Sequence, residues 1–177
     1  MVQMIVIAKI TGNGAVYKQQ SNDLFRRIYM GVTLKCKKTN RYLDMGYFGF
    51  NRLREKVAEL AGEPFASHYK KLSTAQYVFS YGETRDRLFA AFDTETEAML
   101  KRKVISEKVA SFLLQSDCEG KLRYGGCIEL LKVIKDYDDN VHYGYVAGRD
   151  KSEISDFALF RMILQNCVKT KSTLIWN

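Results

Sequence analysis

Between residues 28 and 47 the sequence alternates, turns and alternates again, and a chain with this pattern has to build a sheet with one apolar face. Ile28, Met30, Val32, Leu34 and Cys36 interleave with Tyr29, Gly31, Thr33 and Lys35, the period-two signature of a half-buried strand. Lys37-Lys38-Thr39-Asn40 supplies a turn, and residues 41–47 return with Leu43, Met45 and Tyr47 on one side. The expected product is a basic hairpin whose apolar face needs a cover.

Candidate covers follow along the chain. Phe50, Leu53, Val57, Leu60 and Ala61 fall at helical spacing, which predicts a helix over residues 51–61, stopped by Gly62 and Pro64, with Arg52, Arg54 and Lys56 on its polar side. Thr94-Glu95-Thr96-Glu97 has the form of a capping box and predicts a helix start, with Ile105, Val109, Phe112 and Leu113 facing the core as far as Gln115. Cys127, Leu130, Leu131, Ile134 and Tyr137 predict another helix, and residues 155–167, apolar nearly all round, a largely buried one. Strands are expected at residues 4–10, with 15–18 pairing back, and at 76–81, 141–147 and Thr173–Trp176. Residues 88–92 have no decisive pattern.

Strands early and late with helices between them predict an α+β fold. Its first part is a basic, strand-rich segment with a hairpin and a helix; a helix-loop-helix and a strand-helix-strand segment follow. The length of 177 residues suits one domain over 1–177, with 1–92 and 93–177 as a possible subdivision. No apolar run approaches the roughly 18 residues of a spanning helix, and the amino terminus lacks the basic start and cleavage site of a secretory signal. The expected setting is therefore cytoplasmic, with no membrane partner. In that reducing compartment Cys36, Cys118, Cys127 and Cys167, which form no CxxC pair, are expected as free thiols.

The net charge of +8 lies entirely in the first part: residues 1–71 carry 13 Lys and Arg against 5 Asp and Glu, whereas residues 72–177 carry 15 of each. That asymmetry suggests a localised basic surface for a polyanion or an acidic protein; the plain alternative is solubilising charge. Lys35, Lys37, Lys38, Arg41, Arg52 and Arg54 are the expected contact residues. With Lys70 and Lys71 they alternate in sequence with Tyr42, Tyr47, Phe48 and Tyr69, and cations for phosphate beside rings for stacking suit nucleic acid. The aromatic-glycine run "DMGYFGFNRL" resembles the stacking signature of RNA-recognition motifs, but Phe48 is one residue too many between its two halves and would flip every later side chain in a strand.

The stretch "SDCEGKLRYGGC" has the outline of a calcium-binding EF-hand loop. With Gly120 as the sixth position and Leu122 as the eighth, the first and twelfth positions fall on Gln115 and Gly126, neither of which is a carboxylate. Lys121 and Arg123 make the site still poorer for a divalent cation. No metal is expected there; Gly120 is read as permitting a tight turn and Gly125-Gly126 as bending the chain into the next helix. The helix, S-D-C-acid-G and cysteine-containing helix over residues 112–134 resembles a segment of small uncharacterised bacterial and phage-associated proteins. That resemblance implies no activity.

Catalysis has little support. His68 and His142 are the only histidines, and no nucleophile motif, phosphate-binding glycine loop or paired metal-ligand motif accompanies them, so no cofactor is expected. A zinc site from Cys118, Cys127 and His142 lacks a fourth ligand. The expected function is a non-enzymatic binding protein, of phage or mobile-element type by the resemblance, whose basic N-terminal face meets nucleic acid or an acidic surface of a nucleic-acid-handling protein. The competing expectation is a small ribonuclease-like toxin that uses His68 or His142.

Overall fold

The structure is a computed structural model and describes residues 31–138, 140–143 and 154–177. The chain divides into two units, Met1–Met30 and Gly31–Asn177, and the described residues all belong to the second. The strands expected at 4–10 and 15–18 lie outside the described residues.

The fold is α+β, as the order of patterns predicts. Four antiparallel strands form one sheet in the order β2-β1-β4-β3: β1 Gly31–Cys36, β2 Tyr42–Gly46, β3 Gly120–Arg123 and β4 Thr173–Trp176. The hairpin register sets Leu34 against Leu43 and Val32 against Met45. The C-terminal strand β4 then inserts between the hairpin and β3, with Trp176 opposite Leu34 on one side and Gly120 on the other. Because these strands come from both ends of the described chain, 31–92 and 93–177 share one sheet, and the boundary considered at residue 92 falls inside a helix.

One face of the sheet is apolar and buried: Leu34, Cys36, Leu43, Leu174 and Trp176 are shielded almost completely. Four helices cover it, namely α1 Tyr47–Ala61, α5 Glu107–Leu114, α6 Tyr124–Val133 and α7 Asp156–Lys169. Between α1 and α5 run α2 Phe65–Lys70, a 3-10 turn Lys71–Ser73, α3 Ala75–Val78 and the long α4 Gly82–Lys101. The centre of the core is aromatic: Phe112 stacks on Phe160 with ring centroids 5.6 Å apart and meets Phe50 and Trp176 edge-on. Each such ring, fully buried, contributes about 1.5–3 kcal/mol relative to exposure.

Several elements differ from expectation for local reasons. Helix α1 begins at Tyr47, directly after Gly46, so Tyr47, Phe48, Gly49 and Phe50 form its first turn. The aromatic-glycine run is therefore helical and presents no stacking strand. Residues 76–81, expected as a strand, are the end of α3 and a turn, with Val78, Phe79 and Tyr81 exposed and no neighbouring strand among the described residues to pair with. Thr94 lies inside α4, where its hydroxyl donates back to Ala90 O at 2.9 Å, so Thr94-Glu97 caps nothing. The cap is Ser106, whose Oγ accepts from Lys108 N at 3.3 Å at the start of α5.

Gly125 and Gly126 lie in the first turn of α6. Gly126 is required there by contact, since a Cβ would overlap the Leu122 side chain. Gly120 answers to the same constraint: it is the first residue of β3, and a Cβ on it would overlap the Trp176 ring. Residues 141–143 are irregular rather than a strand, and 144–147 lie outside the described residues. Helix α7 is capped by Ser155, whose Oγ accepts from Ala158 N at 3.1 Å.

Candidate polyanion-binding face

Burying one face of a four-stranded sheet leaves every second residue on the other, and that alternation assembles the candidate site. Cross-strand register aligns Tyr42 (β2), Lys35 (β1), Ile175 (β4) and Lys121 (β3) in one row on the outer face. A second row lies beside it: Lys37 N donates to Thr173 O at 3.0 Å, continuing the ladder past β1, and Thr173 pairs with Arg123. Strand spacing puts Lys35 and Lys121 roughly 10 Å apart, and Lys121 and Arg123 roughly 7 Å apart. Among the described residues, no carboxylate lies within 4 Å of Lys35, Lys37, Lys121 or Arg123. Asp44, an acid on this face, accepts a hydrogen bond from Thr33 Oγ1.

The six residues expected to bind do not form one surface. Lys35 and Lys37 belong to the outer face. Lys38 and Arg41 turn toward α7: Lys38 Nζ donates to Thr170 O at 3.3 Å, where a cation suits the carbonyl-rich helix end, and Arg41 lies 3.5 Å from Met162 Sδ. Arg52 is exposed on α1, on the covered side of the sheet. Arg54 is the correction: it is 3 % exposed and lies in the core rather than on a polar side.

The environment of Arg54 explains how a guanidinium can be buried. Its Nη1 donates to Gln115 O at 2.9 Å and its Nη2 to Ser116 O at 3.1 Å, satisfying carbonyls left free where α5 ends. Its carbon lies 4.2 Å from the Phe50 ring centroid and 5.5 Å from that of Trp176. Burial holds its pKa below the ordinary range, and the carboxylate of Asp117 works the other way. Tyr69 packs in the same region, and desolvation pushes its hydroxyl up to about 12.

The two histidines lie in separate settings. His68 is 1 % exposed, stacked on Phe92 at 4.0 Å, with Nε2 2.8 Å from Thr96 Oγ1 and Nδ1 3.1 Å from Glu95 Oε2 but off the hydrogen-bond direction. Lys71 Nζ binds the same Glu95 oxygen at 2.6 Å. Burial holds the imidazole below its ordinary range, and the Lys71 hydrogen bond holds the Glu95 carboxyl below its own. His142 Nδ1 lies 3.7 Å from Asp156 Oδ1, while Asp156 Oδ2 accepts from Tyr143 N at 2.9 Å, so this pair ties residues 142–143 to the start of α7.

Among the described residues no three His, Cys, Asp or Glu side chains are placed to hold a metal. In the EF-hand-like loop, the Gln115 side chain is committed elsewhere: its Oε1 accepts from Lys121 N at 3.0 Å and its Nε2 donates to Lys121 O at 3.1 Å. Gln115 thus pairs with the outer edge of β3 as a neighbouring strand would. Cys36, Cys127 and Cys167 are buried thiols and Cys118 is an exposed one.

Lys121 and Arg123 were absent from the expected contact set. Their signal was the alternation of Lys121 and Arg123 around Leu122, which reads as a strand only once a partner strand is known. Comparison with family models, with curated proteins and with solved structures finds no match. Among the described residues no helix is long and apolar enough to cross a membrane.

Proposed function

We propose that this chain is a non-enzymatic nucleic-acid-binding protein that receives a single strand across the open face of its sheet. The observation that carries the reading is the two-row array of Lys35, Lys37, Lys121 and Arg123, with no carboxylate within 4 Å among the described residues and with Tyr42 half exposed at its margin. Cations spaced along and across a sheet neutralise successive phosphates, and a flanking ring accepts a base by stacking without reading its identity. Phosphate contacts carry little sequence information, so the expected preference is for strandedness and length rather than sequence.

The burial of His68 against Phe92 supports a binding rather than a hydrolytic role for the face. The test is incubation with labelled RNA and DNA, each single- and double-stranded, at low and moderate salt, with retention and cleavage read on one gel. The reading requires retention without cleavage, weakening steeply with salt. Cleavage that disappears when His142 is replaced supports a nuclease instead. Neither retention nor cleavage points instead to an acidic protein partner held by apolar contacts.

A further inference from the structure

At the β3 edge an open cleft of about 570 Å³ runs along α5, from Glu107 to Gln115, and reaches the first turn of α6. Lys108, Lys121 and Arg123 contribute three cations to its lining, Glu107 one acid, and the half-exposed Tyr124 a ring. Lys108 reaches in over Gly125, where a Cβ would lie 3.6 Å from its Nζ, so the glycine leaves room between them. None of the three cations has a carboxylate within 4 Å among the described residues, Glu107 included. The volume is that of a small-ligand site, and the residues around it include three bases, one acid and one aromatic ring beside apolar Leu122.

We infer that this cleft takes the phosphomonoester of a nucleotide, with Lys108, Lys121 and Arg123 around the phosphate and the Tyr124 ring against the base. Arg123 supplies a planar fork suited to two phosphate oxygens, and the two lysines supply point charges that neutralise the remainder. The phosphomonoester has two sources with the same chemistry: a free mononucleotide, or the phosphorylated end of a strand lying on the sheet. The inference shares Lys121 and Arg123 with the proposed sheet-face function but does not depend on it. Lys108 belongs to the cleft alone and Lys35 to the face alone.

The experiment is calorimetric titration of the full chain with adenosine 5′-monophosphate and with adenosine at low salt, repeated on Lys108→Ala and Lys35→Glu. Saturable binding of the monophosphate is expected, with adenosine weaker by about tenfold or more and Lys108→Ala costing a similar factor, as loss of a charge-assisted contact implies. Lys35→Glu keeps monophosphate binding even if it abolishes strand retention, which separates failure of the cleft from failure of the face. Lys108 is exposed, so its replacement leaves the fold intact, and an unchanged melting temperature verifies this. A short oligonucleotide with and without a 5′ phosphate then identifies the source: a Lys108-dependent preference assigns the strand end, and no preference with monophosphate binding retained assigns the free nucleotide. Equal binding of adenosine and its monophosphate, no binding at millimolar concentration, or full binding by Lys108→Ala overturns the inference.

Discussion

The Arg54 guanidinium and the Trp176 indole converge on one carbonyl oxygen, that of Ser116, at 3.1 Å and 2.9 Å. Through it, helix α1 and strand β4 are both joined to the chain as it leaves α5, and the sheet is closed against its helical cover. A residue that resembles a surface cation in the sequence is thus a tie across the core.

Replacing Arg54 by Ala leaves two carbonyls without these donors and a void among three aromatic rings. The expected loss is about 3 kcal/mol or more, read as a lower urea midpoint with unchanged slope. Arg54→Lys loses less, because it keeps one donor but not the fork. Below its melting temperature the Ala variant retains polyanion binding; loss of retention while folded would return Arg54 to the contact set.

Gly120→Ala forces the Trp176 ring out of place, because the added methyl occupies the ring's position. Overpacking of this kind costs about 1–3 kcal/mol. Trp176 is the only tryptophan, so its fluorescence reports the displacement directly. An unchanged emission spectrum would contradict the contact.

Gln115→Ala unpairs the edge of β3 and is expected to cost about 1 kcal/mol in thermal or urea unfolding. Millimolar calcium leaves the melting temperature of the native chain unchanged, because a ligand stabilises only by binding the folded state. A clear upward shift would mean that the loop assembles an oxygen cage despite this pairing.

Stability falls on mild acidification. Burial lowers the His68 pKa in the folded chain below its ordinary 6.5, so the unfolded chain takes up the proton first as pH falls. The contribution is whole above that value and is lost as pH drops below it toward the folded pKa. Glu95, also lowered, adds a second loss below its ordinary 4.5. Urea midpoints measured from about pH 7 to pH 5 show the first step, and His68→Gln removes it. A flat profile in the native chain would contradict the buried neutral imidazole.

The hairpin, β4 and the C-terminal end of α1 were legible because their signals are local: period-two alternation in β1 and β2, and Gly62 at φ 94° closing α1. The end of α4 was not, because its reversal falls on Lys103 at φ 56° where glycine is usual. There Val104 N donates to Met99 O and Lys103 N to Leu100 O, both at 3.0 Å, a stop made by backbone geometry and not by residue type. Arg54 was misplaced for a different reason. Helical spacing sorts residues by polarity, but the side of α1 that carries Arg54 meets the end of α5, and only tertiary packing determines that. The candidate face was half legible: Lys35 and Lys37 lie in a readable strand, whereas Lys121 and Arg123 join them only through β4, whose pairing spans most of the described chain.

The most direct test of the account is a triple charge reversal, Lys35→Glu, Lys37→Glu and Lys121→Glu, in the full chain. Retention of single-stranded nucleic acid is measured as a function of salt beside the native protein. Retention at low salt is expected to be lost while the melting temperature stays within a few degrees, since surface substitutions of this kind shift stability by only about 0.5 kcal/mol each. The same reversal at Lys38, Arg41 and Arg52, which lie off the face, leaves most of the retention in place. Undiminished binding by the face variant, with an unchanged salt slope, would contradict the claim that the open sheet is the binding surface.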